Sequence, residues 1–280
     1  MPRDDKLTKA DMPASARDPL SYAVAARDRS AIDMVNAAVH HKQVVLAYQA
    51  VVPARNQSKP AFYEGLIRVL DETGRIIPAK DFIDAIETTE TGRVIDCLAL
   101  EKGLHILAKY PFVRLSLNMS ARSIGYSRWM RTLKRGLGKD PTIGERLILE
   151  ITESSAMLVP ELVMGFMADL QSKGISFALD DFGAGYTSFR YLRDFYFDIL
   201  KIDGQFIRGI SQDPDNQVLT TALATIAEQF DMLTVAESVE TPQDAAYLTA
   251  MGIDCLQGYY YGAPTVRPPW LAAVESRASA

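Results

Sequence analysis

Short apolar, β-rich runs recur along this chain with helical stretches between most of them, and this alternation limits the fold more than any other feature. The runs are Val44–Val51, Phe62–Leu70, Val113–Asn118, Leu147–Ile151, Ile175–Asp180, Ile199–Ile202, Leu233–Ala236 and Ile253–Leu256. Between them, stretches such as Leu158–Lys173 and Val218–Phe230 carry apolar residues at helical spacing. Strands alternating with helices predict a parallel sheet joined by crossover helices. Eight such strands predict an α/β fold closed as a TIM-type (β/α)8 barrel. One connection departs from the pattern. Val52–Pro60 is too short to hold a crossover helix and reads as a hairpin, so the barrel is expected to be modified, with one antiparallel strand. The long connection from Leu70 to Val113 predicts two helices, near Ala79–Glu90 and Arg93–Tyr110. Residues 1–30 read as a flexible tail with the start of a lead-in helix (about Leu20–His41), and residues 31–275 as the barrel.

Composition removes several function classes. With 280 residues, 48% of them hydrophobic, the chain can bury a full core. A net charge of −5 argues against a protein that grips DNA through a basic face. The basic stretch Arg128–Lys139 reads as a solvated helix face. The N-terminus has no apolar core of a secretory signal, and no stretch approaches the roughly 18 apolar residues of a membrane span. A soluble, cytoplasmic protein is expected. Cys97 and Cys255 stand far apart among apolar neighbours and read as buried, reduced thiols. His40, His41 and His105 show no ligand spacing.

Polar residues interrupt or end the apolar runs. Glu64 lies in AFYEGLIRV, Asn118 ends VRLSLN, and Glu150 and Glu153 lie in LILEITE. Asp180 and Asp181 end ISFALDD, Lys201 sits in ILKID, Glu237 follows LTVA and Gln257 follows IDCL. In a barrel the strand C-termini converge on one face. Glu64, Glu150, Asp180, Asp181 and Glu237 would meet there, and that many carboxylates must either protonate or hold cations between them. Oxygen-rich sites select hard divalent ions, magnesium or manganese. Two such ions, roughly 3.5–4 Å apart, are the usual apparatus for in-line displacement at phosphorus. A lone acid at a strand end is more often a helix cap or loop residue, but the joint pattern is not explained that way. Asp181-Phe182-Gly183 spells the kinase metal-binding tripeptide, yet neither a His-Arg-Asp loop nor a Gly-rich phosphate loop accompanies it.

The ordered segments YQAVV (48–52), YEGLIRV (63–69), LSLNMS (115–120), LEITES (149–154), LDDFGAGYTSF (179–189), LKID (200–203), VAESVET (235–241) and QGYYYGAP (257–264) together resemble the EAL-domain family of c-di-GMP phosphodiesterases. The resemblance implies hydrolysis of c-di-GMP to linear pGpG with two Mg2+ or Mn2+ ions. It implies metal ligation by Glu64, Asn118, Glu150, Asp180, Asp181 and Glu237. It also implies catalytic roles for Lys201, Glu64, Glu237 and Asp181, with Lys201 holding or deprotonating the attacking water and its pKa lowered beside two cations. Gln49, Leu66, Arg68, Asp203, Glu240 and Gln257 match substrate-binding positions, Arg68 against a phosphate. Glu153 matches the anchor of the loop Asp181–Phe189, which the family couples to homodimerisation. The chain departs from the family at Gly65, where alanine is usual, at Ala50 in place of proline, and at Ser238 in place of a glycine. Thr187 and Phe189 vary the loop. Serine would strain the second metal site if position 238 needs a positive φ. The alternative function is a c-di-GMP receptor that binds without turnover.

Overall fold

The computed structural model describes residues 31–184 and 192–271. The tail, and most of the loop that begins at Asp181, including Thr187 and Phe189, lie outside the described residues. Nine strands are described: β1 Val44–Pro53, β2 Phe62–Leu70, β3 Ile76–Pro78, β4 Leu115–Asn118, β5 Leu147–Thr152, β6 Ser176–Phe182, β7 Ile199–Ile202, β8 Leu233–Ala236 and β9 Cys255–Gln257. They form one sheet in the order β1-β9-β8-β7-β6-β5-β4-β2-β3, and a β1–β2 pairing closes eight of them into a barrel. β1 runs antiparallel to both its neighbours, with Gln49 opposite Glu64 and Val51 opposite Gln257. The other barrel pairings are parallel. The fold is therefore the expected modified barrel, and the hairpin at Val52–Pro60 is the expected cause.

The ninth strand was not expected. β3 pairs antiparallel with the upper half of β2, Arg68 opposite Pro78, and extends that wall beyond the end of β4. It is three residues long, too short for a period-two pattern to emerge. The predicted helix near Ala79–Glu90 is two short pieces, a 3-10 turn at Ala79–Asp81 and a single turn at Ile83–Ile86. The next helix runs Glu90–Lys109. The lead-in helix is described over 31–40 and buries Val35 and Ala38.

Crossover helices start where the sequence says they should. Asp213 caps Pro214–Gln229 by accepting from Asp215 and Asn216 N–H, and Thr241 caps Pro242–Met251 by accepting from Asp244 N–H. Proline occupies the first turn of each. The helix Ser127–Lys139 buries Trp129, Thr132 and Leu133 and leaves its arginines and lysines exposed, the solvated basic face read from the sequence. Both cysteines are free and buried.

Two apolar layers hold the barrel. The larger lies between strands and helices, and includes Leu115, Leu117, Leu149, Leu179 and Leu200 from the outward face. The smaller fills the barrel interior with Val51, Phe62, Ile148, Ala178, Ile199, Val235 and Cys255. Side chains alternate along a strand, so the next inward position on each strand lies two residues toward the mouth. That step takes Val51 to Gln49 on reversed β1, Phe62 to Glu64, Ile148 to Glu150, Ala178 to Asp180, Ile199 to Lys201, Val235 to Glu237 and Cys255 to Gln257. Ser116, paired with Glu64 across β2–β4, leads in the same way to Asn118.

Candidate active site at the barrel mouth

The polar layer above the apolar plug is centred on Lys201, which is 1% exposed. Its Nζ lies 2.7 Å from Glu237, 2.8 Å from Glu150, 2.9 Å from Asp180 and 3.7 Å from Glu64. A buried ammonium with four carboxylates leaves excess negative charge in a low-dielectric space. Glu64 is further held by neutral donors. Asn118 Nδ2 donates to Oε1 at 2.8 Å, and Gln257 Nε2 donates to Oε2 at 2.6 Å. Gln257 also donates to Gln49 Oε1 at 3.1 Å, and Gln49 donates to the Gly262 carbonyl at 3.0 Å. Three strands thus fix one carboxylate.

Consecutive residues on a regular strand face opposite ways, so Asp180 and Asp181 should not share a site. Two features bring them together. The β6–β7 register shifts between Leu179 and Phe182, and Asp181 takes a left-handed backbone with φ of 54°. A bulge of this kind re-aims a side chain. One oxygen each of Asp180, Asp181 and Glu237 then lies within 4.8 Å of the others, a cluster that could hold a metal ion. Glu150, fully buried beneath it, has an Oε1 without a hydrogen-bond partner, although buried polar atoms are nearly always satisfied. An oxygen-only donor set with an unsatisfied carboxylate oxygen fits a hard divalent cation.

Charge states follow from burial and neighbours. Burial raises Glu150 well above the usual carboxylate range, with Lys201 pulling the other way. Burial pushes Glu237 up to about 8 despite Lys201, and pushes Asp181 up to about 6 with help from Asp180. Burial acts upward on Glu64 too, but Lys201 and the Gln257 and Asn118 amides outweigh it and hold this carboxyl below its ordinary value. Burial alone would lower Lys201; the surrounding carboxylates raise it well above the ordinary lysine value.

Above this layer opens a cavity of about 990 Å³. Its lining includes Gln49, Glu64, Leu66, Arg68, Asn118, Asp180, Asp181, Lys201, Asp203, Glu237, Glu240 and Gln257. Each predicted substrate position is therefore at the mouth. Glu150 lies below the lining, and Glu153 lies beside it. Glu153 opens the turn Glu153–Ala156 after β5 and accepts from Gly183 N–H at 3.3 Å, tying β5 to the start of the loop after β6. The structure brings in residues that the sequence did not single out. Asp96, on the helix Glu90–Lys109, lines the cavity and accepts from Ser120 N–H at 3.0 Å and Ser123 Oγ at 2.6 Å, bracing the turn after Asn118. Arg208 also lines it. Neither ends an apolar run, so strand periodicity carries no signal for them.

Two of the departures, Ser238 and Gly65, show specific backbone or packing consequences. Ser238 does have a positive φ, 57°, as its position beside Glu237 had raised. Gly65 faces outward, where an added Cβ would lie 2.8 Å from Leu117 Cδ2 and 3.3 Å from Leu115 Cδ1. Leucine side chains have taken the space a methyl would fill.

A closed barrel with carboxylates, amides and one lysine converging on an open mouth presents an oxygen-rich cluster that could hold a metal ion. Residues 32–264 match the EAL domain model, and the chain belongs to that family. It is 30% identical over 231 residues to cyclic di-GMP phosphodiesterase PdeF of Escherichia coli (strain K12), covering 81% of this chain and 30% of the relative. The solved structure of the PaMucR phosphodiesterase in complex with c-di-GMP has a TM-score of 0.72 at 27% identity, covering 84% of this chain and 97% of that one. The FimX EAL domain of Pseudomonas aeruginosa bound to c-di-GMP shares the fold, with a TM-score of 0.76 at 24% identity over 84% of this chain and 96% of that one. The chain spans 30 to 39% of the length of the first three curated relatives it matches. Among the described residues no helix is long and apolar enough to cross a membrane.

Proposed function

We propose that this chain hydrolyses c-di-GMP to linear 5′-pGpG. The observation that carries the reading is the inward ring of Glu64, Asn118, Glu150, Asp180, Asp181 and Glu237 around buried Lys201, open to a cavity large enough for a cyclic dinucleotide. The ring supports ligation of two Mg2+ or Mn2+ ions by those six residues, Asp180 standing between the Asp181–Glu237 pair and Glu64–Asn118–Glu150. Such ions, when bound, neutralise a phosphodiester and supply hydroxide at neutral pH. Lys201, hydrogen-bonded to Glu150 and within reach of Asp180 and Glu237, holds the attacking water. The water oxygen bonds to phosphorus, the P–O3′ bond breaks, and the 3′-oxygen takes up the proton that the water gives up. Arg68, on the tall wall of β2, orients the phosphate, and Gln49, Leu66, Asp203, Glu240 and Gln257 seat the rest of the ligand.

A second reading, binding without turnover, draws on the left-handed Ser238 beside Glu237. Chromatography of c-di-GMP incubated with the protein and Mg2+, Mn2+ or EDTA separates the two. Metal-dependent pGpG supports the enzyme; retained c-di-GMP binding with no pGpG under either metal overturns it in favour of the receptor.

Homodimerisation is part of the same reading. Leu158, Val159 and Leu162 stand exposed next to the Glu153 turn, an apolar patch of the kind that marks an interface. Two unpaired buried thiols suit a cytoplasmic setting.

A further inference from the structure

The cationic residues among the described lining of the cavity are Arg68, Lys80, Lys201 and Arg208. Four carboxylates surround Lys201, so its charge is already matched. Arg68 lies on β2, and Lys80 follows β3 on the same wall. Around the closed barrel the order is β2-β1-β9-β8-β7-β6-β5-β4, which puts β7 opposite β2. Arg208, one turn of helix after β7, therefore supplies positive charge to the far wall.

Arg208 is held there by two side-chain contacts. Its Nη2 donates to Ser238 Oγ at 3.0 Å, and its Nε lies 3.6 Å from Glu240. Ser238 can present that hydroxyl because its backbone is left-handed and because residue 204 is glycine. A Cβ on Gly204 would strike Ser238 Oγ, lie 2.6 Å from Ser238 Cβ, and crowd Arg208 Nη2 at 3.2 Å. Gly204, Ser238 and Arg208 form one fitted unit. A non-glycine residue is strained in this conformation, and the guanidinium hydrogen bond offsets part of that strain. Ser238 thus has a positioning role as well as a strained backbone.

The geometry points to Arg208 as a residue that reads a guanine base of the ligand; this rests on the c-di-GMP reading above. An arginine fork matches the N7 and O6 acceptors of guanine. The carboxylates of Asp203 and Glu240 at the same rim can accept from guanine N1–H and N2–H. A phosphate would meet the same arginine but also these two carboxylates, and would be repelled. A neutral base carrying both acceptors and donors suits the mixed rim better. Adenine presents an amino donor where guanine has O6, so Arg208 would favour guanine over adenine.

The test compares wild type, Arg208→Gln and Ser238→Ala, with thermal melting as a check on folding. KM and kcat are measured for c-di-GMP, and the inhibition constant for c-di-AMP as competitor. Arg208→Gln should raise KM for c-di-GMP about tenfold or more, change kcat less than about threefold, and leave c-di-AMP inhibition unchanged. Ser238→Ala, which frees the guanidinium, should move KM the same way by less, and it carries the test if Arg208→Gln fails to fold. Equal weakening towards both nucleotides would reveal a phosphate contact and overturn base reading. No change towards either would overturn any ligand role for Arg208. If wild type binds c-di-GMP without turnover, dissociation constants replace KM in the same comparison. If wild type neither binds nor hydrolyses c-di-GMP, the underlying functional reading fails, and the wild-type arm alone shows it.

Discussion

Replacing Lys201 with methionine keeps the length of the side chain and removes its charge. Four carboxylates within 3.7 Å then lose their shared cation, in a layer where Lys201 and Glu150 are 1% and 0% exposed. Breaking a buried pair by removing one partner costs about 3–5 kcal/mol, because the remaining charge stays buried and unpaired. For a domain of this size about 1 kcal/mol corresponds to about 2–4 °C in Tm, so the metal-stripped variant should melt roughly 6–20 °C below wild type. Divalent cations replace the missing charge. Saturating Mn2+ should therefore stabilise Lys201→Met more than it stabilises wild type, narrowing the gap measured by scanning calorimetry in EDTA. A variant that melts within about 2 °C of wild type in EDTA would show that the carboxylates do not depend on Lys201. A gap that Mn2+ leaves unchanged would show that they do not bind the ion.

Other substitutions probe the supports of the site. Gly65→Ala should destabilise by about 1 kcal/mol in urea titration, since overpacking costs about 1–3 kcal/mol and the relief of strand glycine returns about 0.5–1. Leu117 cannot swing clear because its other methyl abuts Gly103, and adding Leu117→Val should restore the loss. Burial raises Asp96 to about 7 against the pull of Ser123 and Ser120, so its neutral form stabilises the fold at low pH, and that stability is lost as pH rises from the ordinary carboxylate range through 7. Cavity water screens the group, and the loss across pH 5 to 8 should be about 1–2 kcal/mol, absent in Asp96→Asn; an unchanged pH slope in that variant would refute it. Leu158→Asp with Leu162→Asp should convert a dimer to a monomer in sedimentation, and a monomeric wild type would contradict the interface.

The period-two pattern made most of the site legible. Each apolar run ends or breaks at the residue two steps past the barrel's interior plug, so Glu64, Asn118, Glu150, Asp180, Lys201, Glu237 and Gln257 could be read as one layer before any register was known. Asp181 was named from its neighbours, but its inward turn depends on a bulge and a left-handed backbone that period two does not predict. β3 was missed because three residues carry no period. Asp96 and Arg208 were missed because they reach the cavity from a helix and from a short turn after β7, where position in the sequence says nothing about the mouth. Ser238 stood out as a departure, while its partner Gly204 drew no notice, since only the folded chain sets the two in contact.

Hydrolysis of c-di-GMP in water enriched in 18O, with Mn2+ and the product weighed by mass spectrometry, tests the central claim most directly. The account predicts pGpG carrying one 18O in its terminal phosphate, formed by wild type and lost with EDTA or in Glu64→Gln. Unlabelled product, product formed equally in EDTA, or full activity in Glu64→Gln would contradict it.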